Sequence, residues 1–225
     1  MSDAHVVVVS TGVVRELPWR GRAVTTAIAK TPTPHRVEVG RLGLAGDEQG
    51  DVENHGGPNK AVLLYSAEHY TTWSEEIGEL AMPAFGENLT TSGLLESDAV
   101  IGAVYSVGSV LLQVSQPRRP CFKLAARHGV DDLAVRAQRS GRTGFYCRVL
   151  QPGHLVHGDR LVPVSTPMHG ITAAEVHRVV NLDRGDREGA QHLLRHAGVL
   201  PESWAGMLRR RLDGRLDSQS ERLHG

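Results

Sequence analysis

A chain of 225 residues has room for one large domain, or for one domain with a small appendage. Its 25 basic and 25 acidic side chains cancel, and 40% of its residues are hydrophobic, so nothing global draws it to nucleic acid or to an anionic membrane. Two cysteines, Cys121 and Cys147, are too few for a disulfide scaffold or a usual zinc site, and neither a signal peptide nor an apolar run of membrane-spanning length is evident, so a reducing cytoplasm is the expected setting.

In chain order, residues 5–14 read as an opening strand and turn. Residues 23–29 and 36–39 read as further short strands around a Thr31-Pro32-Thr33-Pro34 corner. Residues 44–58 form a long loop without hydrophobic period, carrying Asp47, Glu48, Asp51 and Glu53 and closing on His55-Gly56-Gly57-Pro58. Long ordered loops tend to be functional. The acids, however, lack the spacing of a calcium-binding hand, which favours solvated turn residues. Residues 61–65 are a buried strand, and Ser66 is placed as the cap of a helix to about Ile77. Residues 81–98 look irregular around Phe85-Gly86-Glu87-Asn88-Leu89. A hairpin follows, 104–106 against 110–115 through Val107-Gly108-Ser109.

The next stretch, Gln116-Pro117-Arg118-Arg119-Pro120-Cys121-Phe122-Lys123-Leu124, is the best functional candidate. Pro120 suits a first helical position, which would put Cys121 in the opening turn of a short helix closed by Gly129. Free amides at a helix start, with Arg118, Arg119, Lys123 and Arg127 and no acid from 116 to 127, should favour a thiolate. Thiolate is the form that attacks electrophiles or ligates soft metals. The competing reading is a small buried hydrophobe beside a solvated basic face.

Asp131 is expected to cap a helix to Arg139 that ends at Gly141. Residues 144–150 alternate with period two, which puts Cys147 on a core face with Phe145 and Val149. A last hairpin is expected between Pro152-Gly153 and residues 157–162. Many short strands with glycine turns favour a β-barrel over a βαβ layout. After Ser165-Thr166-Pro167 the pattern turns helical, over 172–181 (Thr172 and Glu175 forming a capping box), 187–197 and 201–213, with a frayed last dozen residues. The division expected is 1–164 for a barrel domain bearing the site and 165–225 for a three-helix domain. Nine arginines against eight acids in the latter leave no basic footprint for DNA.

Four turns gather polar residues: the acidic loop with its glycine pair, Gly86-Glu87-Asn88, the Cys121 segment, and Ser140-Gly141-Arg142-Thr143-Gly144. Glycines let backbone amides approach a phosphate or ring. Arg118, Lys123 and Arg142 could hold an anionic tail. No nucleotide-binding glycine loop, haem-attachment motif or iron–sulfur cysteine set is present, so redox chemistry would draw electrons from another protein.

Several blocks occur in the order of a known family: Gly46-Asp47-Glu48-Gln49, His55-Gly56-Gly57-Pro58-Asn59-Lys60-Ala61, Glu68-His69-Tyr70, Phe85-Gly86-Glu87-Asn88-Leu89 and the Cys121 stretch. The chain resembles the YiiM-type MOSC domain proteins, named for the carboxy-terminal domain of molybdenum cofactor sulfurase, over nearly its whole length. The resemblance implies an α+β, mostly β, barrel with peripheral helices and a trailing three-helix domain. It also implies a molybdenum–molybdopterin cofactor with Cys121 as thiolate ligand, and makes His55, Gly56, Gly57 and Asn88 pocket residues. Gln116, Arg118, Lys123 and Arg142 are inferred contacts to the pterin or its phosphate; Arg119 is given no role. By analogy with related MOSC enzymes the implied reaction is reduction of N-hydroxylated bases, hydroxylamines or amidoximes to amines. A separate reductase would supply electrons and His55 a proton. A persulfide carrier at Cys121 and a non-catalytic cofactor-delivery module stay open as alternatives. Docking of the electron donor and formation of a homodimer stay open as roles for the helices.

Overall fold

A computed structural model describes residues 3–51 and 56–225, so His55 lies outside the described residues. Seven strands come first: β1 (His5–Thr11), β2 (Arg15–Trp19), β3 (Arg22–Thr26), β4 (Thr31–Pro32), β5 (Val37–Gly40), β6 (Gly43–Leu44) and β7 (Val62–Ser66). Then come α1 (Glu68–Ile77), β8 (Leu89–Ser92), β9 (Val104–Val107), β10 (Val110–Pro117), α2 (Lys123–His128) and α3 (Leu133–Ser140). β11 (Phe145–Gln151), β12 (Gly153–Leu155) and β13 (Val162–Ser165) complete the sheets, and α4 (Ala173–His177), α5 (Arg187–Arg195), α6 (Glu202–Leu212) and α7 (Ser220–His224) follow.

Eight strands form one sheet in the order β13-β9-β10-β11-β7-β8-β1-β4. Its pairs are antiparallel except β7 with β8, which run parallel because α1 carries the chain across between them. One βαβ crossover therefore sits inside the expected barrel. Register shifts between Leu111 and Leu112 and between Val114 and Gln116 bend β10 and help curl the sheet. Near the start of β1 the sheet meets the chain leading into β13: the Val6 amide donates to Asp159 O at 2.9 Å and the Leu161 amide to Ala4 O at 2.8 Å. The expected α+β barrel is borne out as a curled half-barrel with helices around it.

Alternation along β10 and β11 buries Leu112, Val114, Phe145, Cys147 and Val149 inside the curl, and a register shift in β1 between Val6 and Val8 lets Val6 and Val9 both be buried there. The same apolar cluster continues through Val176, Val179, Leu193, Trp204 and Leu208 of the trailing helices. A second cluster gathers Tyr65, Trp73, Phe85, Leu124 and Leu133, with the Tyr65 and Phe85 rings stacked at 4.5 Å.

Several sequence expectations need correction. Residues 81–98 are not wholly irregular, since β8 runs through them, and β2 was not foreseen. Ser66 ends β7 rather than capping α1, whose N-cap is Ala67. The last expected hairpin does not form: β12 pairs with β5, and β13 with β9. The tail is not frayed: α7 buries Leu223 and docks on the Cys121 segment. The expected cap at Thr172 is present, its Oγ1 accepting the Glu175 amide at 3.2 Å.

Candidate functional site at Cys121

β10 delivers the chain to the site. Its bulge puts Ser115 out of register, where Oγ donates to Asn59 O at 2.6 Å and lies 2.9 Å from Tyr146 O. Pro117 is the last residue of β10 in register, opposite Phe145; the Arg118 amide then bonds Gly144 O at 3.0 Å, and beyond it the chain leaves the ladder through Arg119 and Pro120. Cys121 follows, but not in the first turn of a helix. α2 has six residues and begins at Lys123; the Cys121 carbonyl accepts the Leu124 amide at 3.0 Å, ahead of the helix. The Phe122 amide is taken by Arg222 O of α7 at 2.8 Å, so it is not a free helix-end donor. The setting of Cys121 is nonetheless basic, with Arg118 and Lys123 beside it in the first cleft.

Two clefts meet at Cys121, which lines both together with Lys60, Lys123, Asp51 and Tyr146. The first is walled by residues 26–28 at the end of β3, residues 47–51 of the acidic loop, Gly86, Asn88 and Arg118. Its back wall is an ion-paired lock. Lys30 Nζ donates to Asp47 Oδ1 with both side chains buried, at 7% and 5% exposure. The same carboxylate accepts the Gly12 amide at 2.8 Å and Asn88 Nδ2 at 2.8 Å, while Asn88 Oδ1 accepts the Leu63 amide at 3.1 Å. Burial pushes the Lys30 ammonium below its usual range, and Asp47 offsets this only in part. Asp47 is thus a buried structural anion, not the solvated turn acid expected from sequence. Asp51 is drawn in as well, 3.5 Å from Lys123 Nζ.

The turn carrying Asn88 is pinned from behind. Glu87, fully buried, accepts from Tyr70 Oη, from the Phe85 amide at 2.9 Å and from Thr90 Oγ1 at 3.0 Å. Gly86 has φ +79°, and a Cβ there would stand 2.8 Å from Ile28 Cγ1, so the turn presents bare backbone to the cleft. Glu96 does a similar service below β11, accepting the Thr143 and Gly144 amides at 2.9 and 2.7 Å and facing His69 Nε2 at 2.8 Å. Burial opposes its charge, but these donors outweigh it and hold the carboxyl below the usual carboxylate range.

The structure brings Cys121, Arg118, Lys123 and Asn88 together in the first cleft, and Gln116 joins Cys121 in the second. Gly56 and Gly57 lead into the turn Pro58–Lys60, whose Lys60 lines both clefts. Arg142 is not brought in: it bonds Glu76 at 2.8 Å and lies over the Trp73 ring at 4.3 Å, lining neither cleft. Arg118 is buried at 6% exposure, and among the described residues its Nη1 has no hydrogen-bond partner. A buried guanidinium left in that state is what an absent anion would satisfy.

A model of the MOSC domain matches residues 51–162. The chain is 38% identical over 205 residues to the protein YiiM of Escherichia coli, covering 89% of this chain and 91% of that one. It superposes on the crystal structure of YiiM from Geobacillus stearothermophilus with a TM-score of 0.78 at 34% identity, covering 93% of this chain and 99% of the other. The chain belongs to the MOSC domain family. It is also 35% identical over 165 residues to a Gibberella moniliformis protein named "Reductase", 71% of this chain but only 29% of that longer one. The matched MOSC stretch holds Cys121, Arg118, Lys123 and Asn88, yet Lys30 and Asp47 lie before it and Arg222 after it. Sequence reading missed Lys30 and Arg222, and took Asp47 for a solvated turn acid. No spacing rule joins Lys30 to Asp47, or Arg222 to Pro120, whose carbonyl its guanidinium bonds.

Proposed function

We propose that this MOSC protein binds a molybdenum–molybdopterin cofactor in the first cleft, with Cys121 as its thiolate ligand, and reduces N-hydroxylated compounds to amines. The observation that carries this reading is Cys121 at the meeting of two clefts, with Arg118, whose buried Nη1 has no partner among the described residues, lining the first. The donor set fits such a group. Cys121 offers one soft ligand, and among the described residues no cluster of three or more His, Cys, Asp or Glu could hold a metal alone. The metal's other donors would come from the pterin. The family, and a relative named as a reductase, favour oxidoreductase chemistry.

When bound, the cofactor supplies the two-electron chemistry that no side chain here can perform. The chain's own residues bind and orient. Arg118 and Lys123 would hold an anionic group of the pterin, Arg118 through its fork and Lys123 as a point charge. The turn at Gly86 would admit a flat ring against bare backbone, and the Lys30–Asp47 pair keeps Asn88 from swinging. His55, next to Gly56 in the chain, is the proposed proton donor, because an imidazole titrates near neutral pH. A separate reductase would deliver electrons.

The test is molybdenum and pterin content per chain for wild type and Cys121→Ser, both purified from a host that makes the cofactor. Metal present in wild type and lost in the variant is expected, followed by turnover of a hydroxylamine or N-hydroxylated base with an artificial donor. Wild type without metal or pterin, in a host that loads a control enzyme, would sink the reading.

A further inference from the structure

Of the 25 lysines and arginines in the chain only three are lysine: Lys30, Lys60 and Lys123. All three line the first cleft, where Arg118 is the one arginine among the described residues. A chain that uses arginine nearly everywhere else thus turns to the ammonium group at this wall. The two cations differ in one respect that matters for chemistry. A guanidinium does not give up its proton in proteins, whereas an ammonium does so when burial or a neighbouring charge favours it.

The three lysines are not equivalent. Lys30 is committed to Asp47 in the back wall, and Lys123 stands 3.5 Å from Asp51. Lys60 is half-buried and lines both clefts beside Cys121, Asp51, Lys123 and Tyr146, with Arg119 lining the second. Its backbone is fixed. The Lys60 amide donates to Gly57 O at 3.0 Å, and Asn59 accepts Ser115 Oγ on its carbonyl at 2.6 Å and the Arg148 guanidinium on its side chain. The turn Pro58–Lys60 therefore rests on β10 and β11 and carries its last side chain to where the clefts meet. Burial makes Lys60 a readier proton donor than an exposed lysine, and the charge of Arg119 acts the same way; the Asp51 carboxylate works against both. Burial holds the Tyr146 phenol protonated, so it does not compete for this role.

We propose that Lys60 is a proton donor in the reductive N–O cleavage and gives its proton to the departing oxygen. This step rests on the reductase reading above. Converting R–NHOH to R–NH2 and water takes two electrons, supplied by the separate reductase, and two protons. The N–O bond breaks, and one N–H bond and one O–H bond form. His55 accounts for one proton and Lys60 for the other. Negative charge develops on the oxygen as the bond breaks, so an ammonium beside Cys121 first steadies that charge and then discharges it. The neutral amine regains a proton from water in the cleft.

Two measurements on whole protein from a cofactor-making host test the step. Competitive acetylation of the three lysines with acetic anhydride, mapped by mass across pH, reads the amine without any turnover. Lys60 is expected to titrate below the ordinary lysine value of 10.5. Lys60→Arg keeps the charge and withholds the proton. Its kcat for an N-hydroxylated base should fall about a hundredfold, with KM changed less than about threefold. Lys60→Gln, which needs no extra room, should lose as much. Molybdenum content and melting temperature should match wild type in both. Either variant, folded and loaded, that keeps more than about a tenth of the wild-type kcat overturns the proposal. An ordinary titration of Lys60 does the same. Molybdenum lost from both variants would make Lys60 a cofactor contact instead, and overturns it too. Wild type without molybdenum or turnover strikes the reductase reading and this step together, whereas an active wild type with an active variant strikes this step alone.

Discussion

Cys121 and Cys147 sit on adjoining parts of the fold under opposite constraints. Cys147 lies mid-strand in β11, paired with Val114 of β10 on one side and Val62 of β7 on the other, and burial pushes its thiol well above the usual range. Cys121 lies where the ladder has ended. Its neighbours are held by contacts from distant sequence: Phe122 and Pro120 by Arg222 of the tail, Arg118 by Gly144. The sheet therefore fixes one cysteine by repetition, and the other is placed by a few separate bonds that leave it facing two clefts. Reactive groups belong at the second kind of position, because a ladder satisfies its members and leaves nothing for a ligand.

The widest gap between the two should come from single substitutions. Cys121→Ser is expected to lower molybdenum per chain at least about tenfold, one ligand bond being lost from a site that offers few, while the unfolding midpoint stays put. Cys147→Ser should do the reverse, keeping the metal and losing about 1–3 kcal/mol by burying a hydroxyl in an apolar layer. Metal analysis and urea unfolding on both variants check the crossing. Equal metal loss in the two would erase the distinction.

The wall of the first cleft offers the next largest effect. Asp47→Ala leaves the Lys30 ammonium buried without its partner and frees Asn88, for which about 3–5 kcal/mol of destabilisation is expected. Adding Lys30→Met should restore most of it, since the isolated charge is then gone. Urea unfolding of the single and double variants measures the difference. A double variant no more stable than Asp47→Ala would mean that the carboxylate acts through Gly12 and Asn88 rather than through the charge pair.

Legibility followed the same divide. Cys121 could be found from sequence because its signal is local: prolines and one sign of charge crowd within a few residues. Cys147 could be found from alternation, which reports directly on burial. β8 could not, because Leu89-Thr90-Thr91-Ser92 buries threonines and so lacks an apolar period. β2 was hidden by Pro18 within it. α7 is five polar-rich residues whose order comes from contact with Pro120 and Phe122, a hundred positions earlier, and no window of sequence contains both ends. The glycine–glutamate–asparagine turn was read as part of the pocket. That Asn88 spends its amide on Asp47 and Leu63 could come only from the fold.

If the tail positions Cys121, loosening it should alter one cysteine only. Arg222→Ala is expected to raise the rate of Cys121 alkylation by iodoacetamide about tenfold, the equivalent of losing one or two net hydrogen bonds. Cys147 should remain unmodified until global unfolding. Mass mapping of the labelled peptides separates local opening from general loosening, because equal acceleration at both thiols would point to lost stability and not to positioning.

The smallest expected effect is a pH dependence that tests whether the trailing helices belong to the ordered side of the comparison. His177 of α4 is buried, and burial lowers its pKa more than its hydrogen bond to Gln138 O raises it. That carbonyl can only accept, so Nε2 carries the proton and Nδ1 accepts from Asn181 Nδ2 at 3.1 Å. His128 and His169 are also held below the ordinary value near 6.5, in both cases first by burial. For each, the unfolded chain takes up a proton at a higher pH than the folded one. The stability they contribute is complete above the unfolded pKa and is lost as pH falls through it toward the folded value. Melting temperature should therefore hold level from about pH 8 to 7 and decline below about 6.5. His177→Gln should shallow that decline, whatever it does to stability at neutral pH. An unchanged acid slope in this variant would show that His177 takes its proton as easily folded as unfolded, and hence that the layer where α4 meets Gln138 is looser than its hydrogen bonds imply.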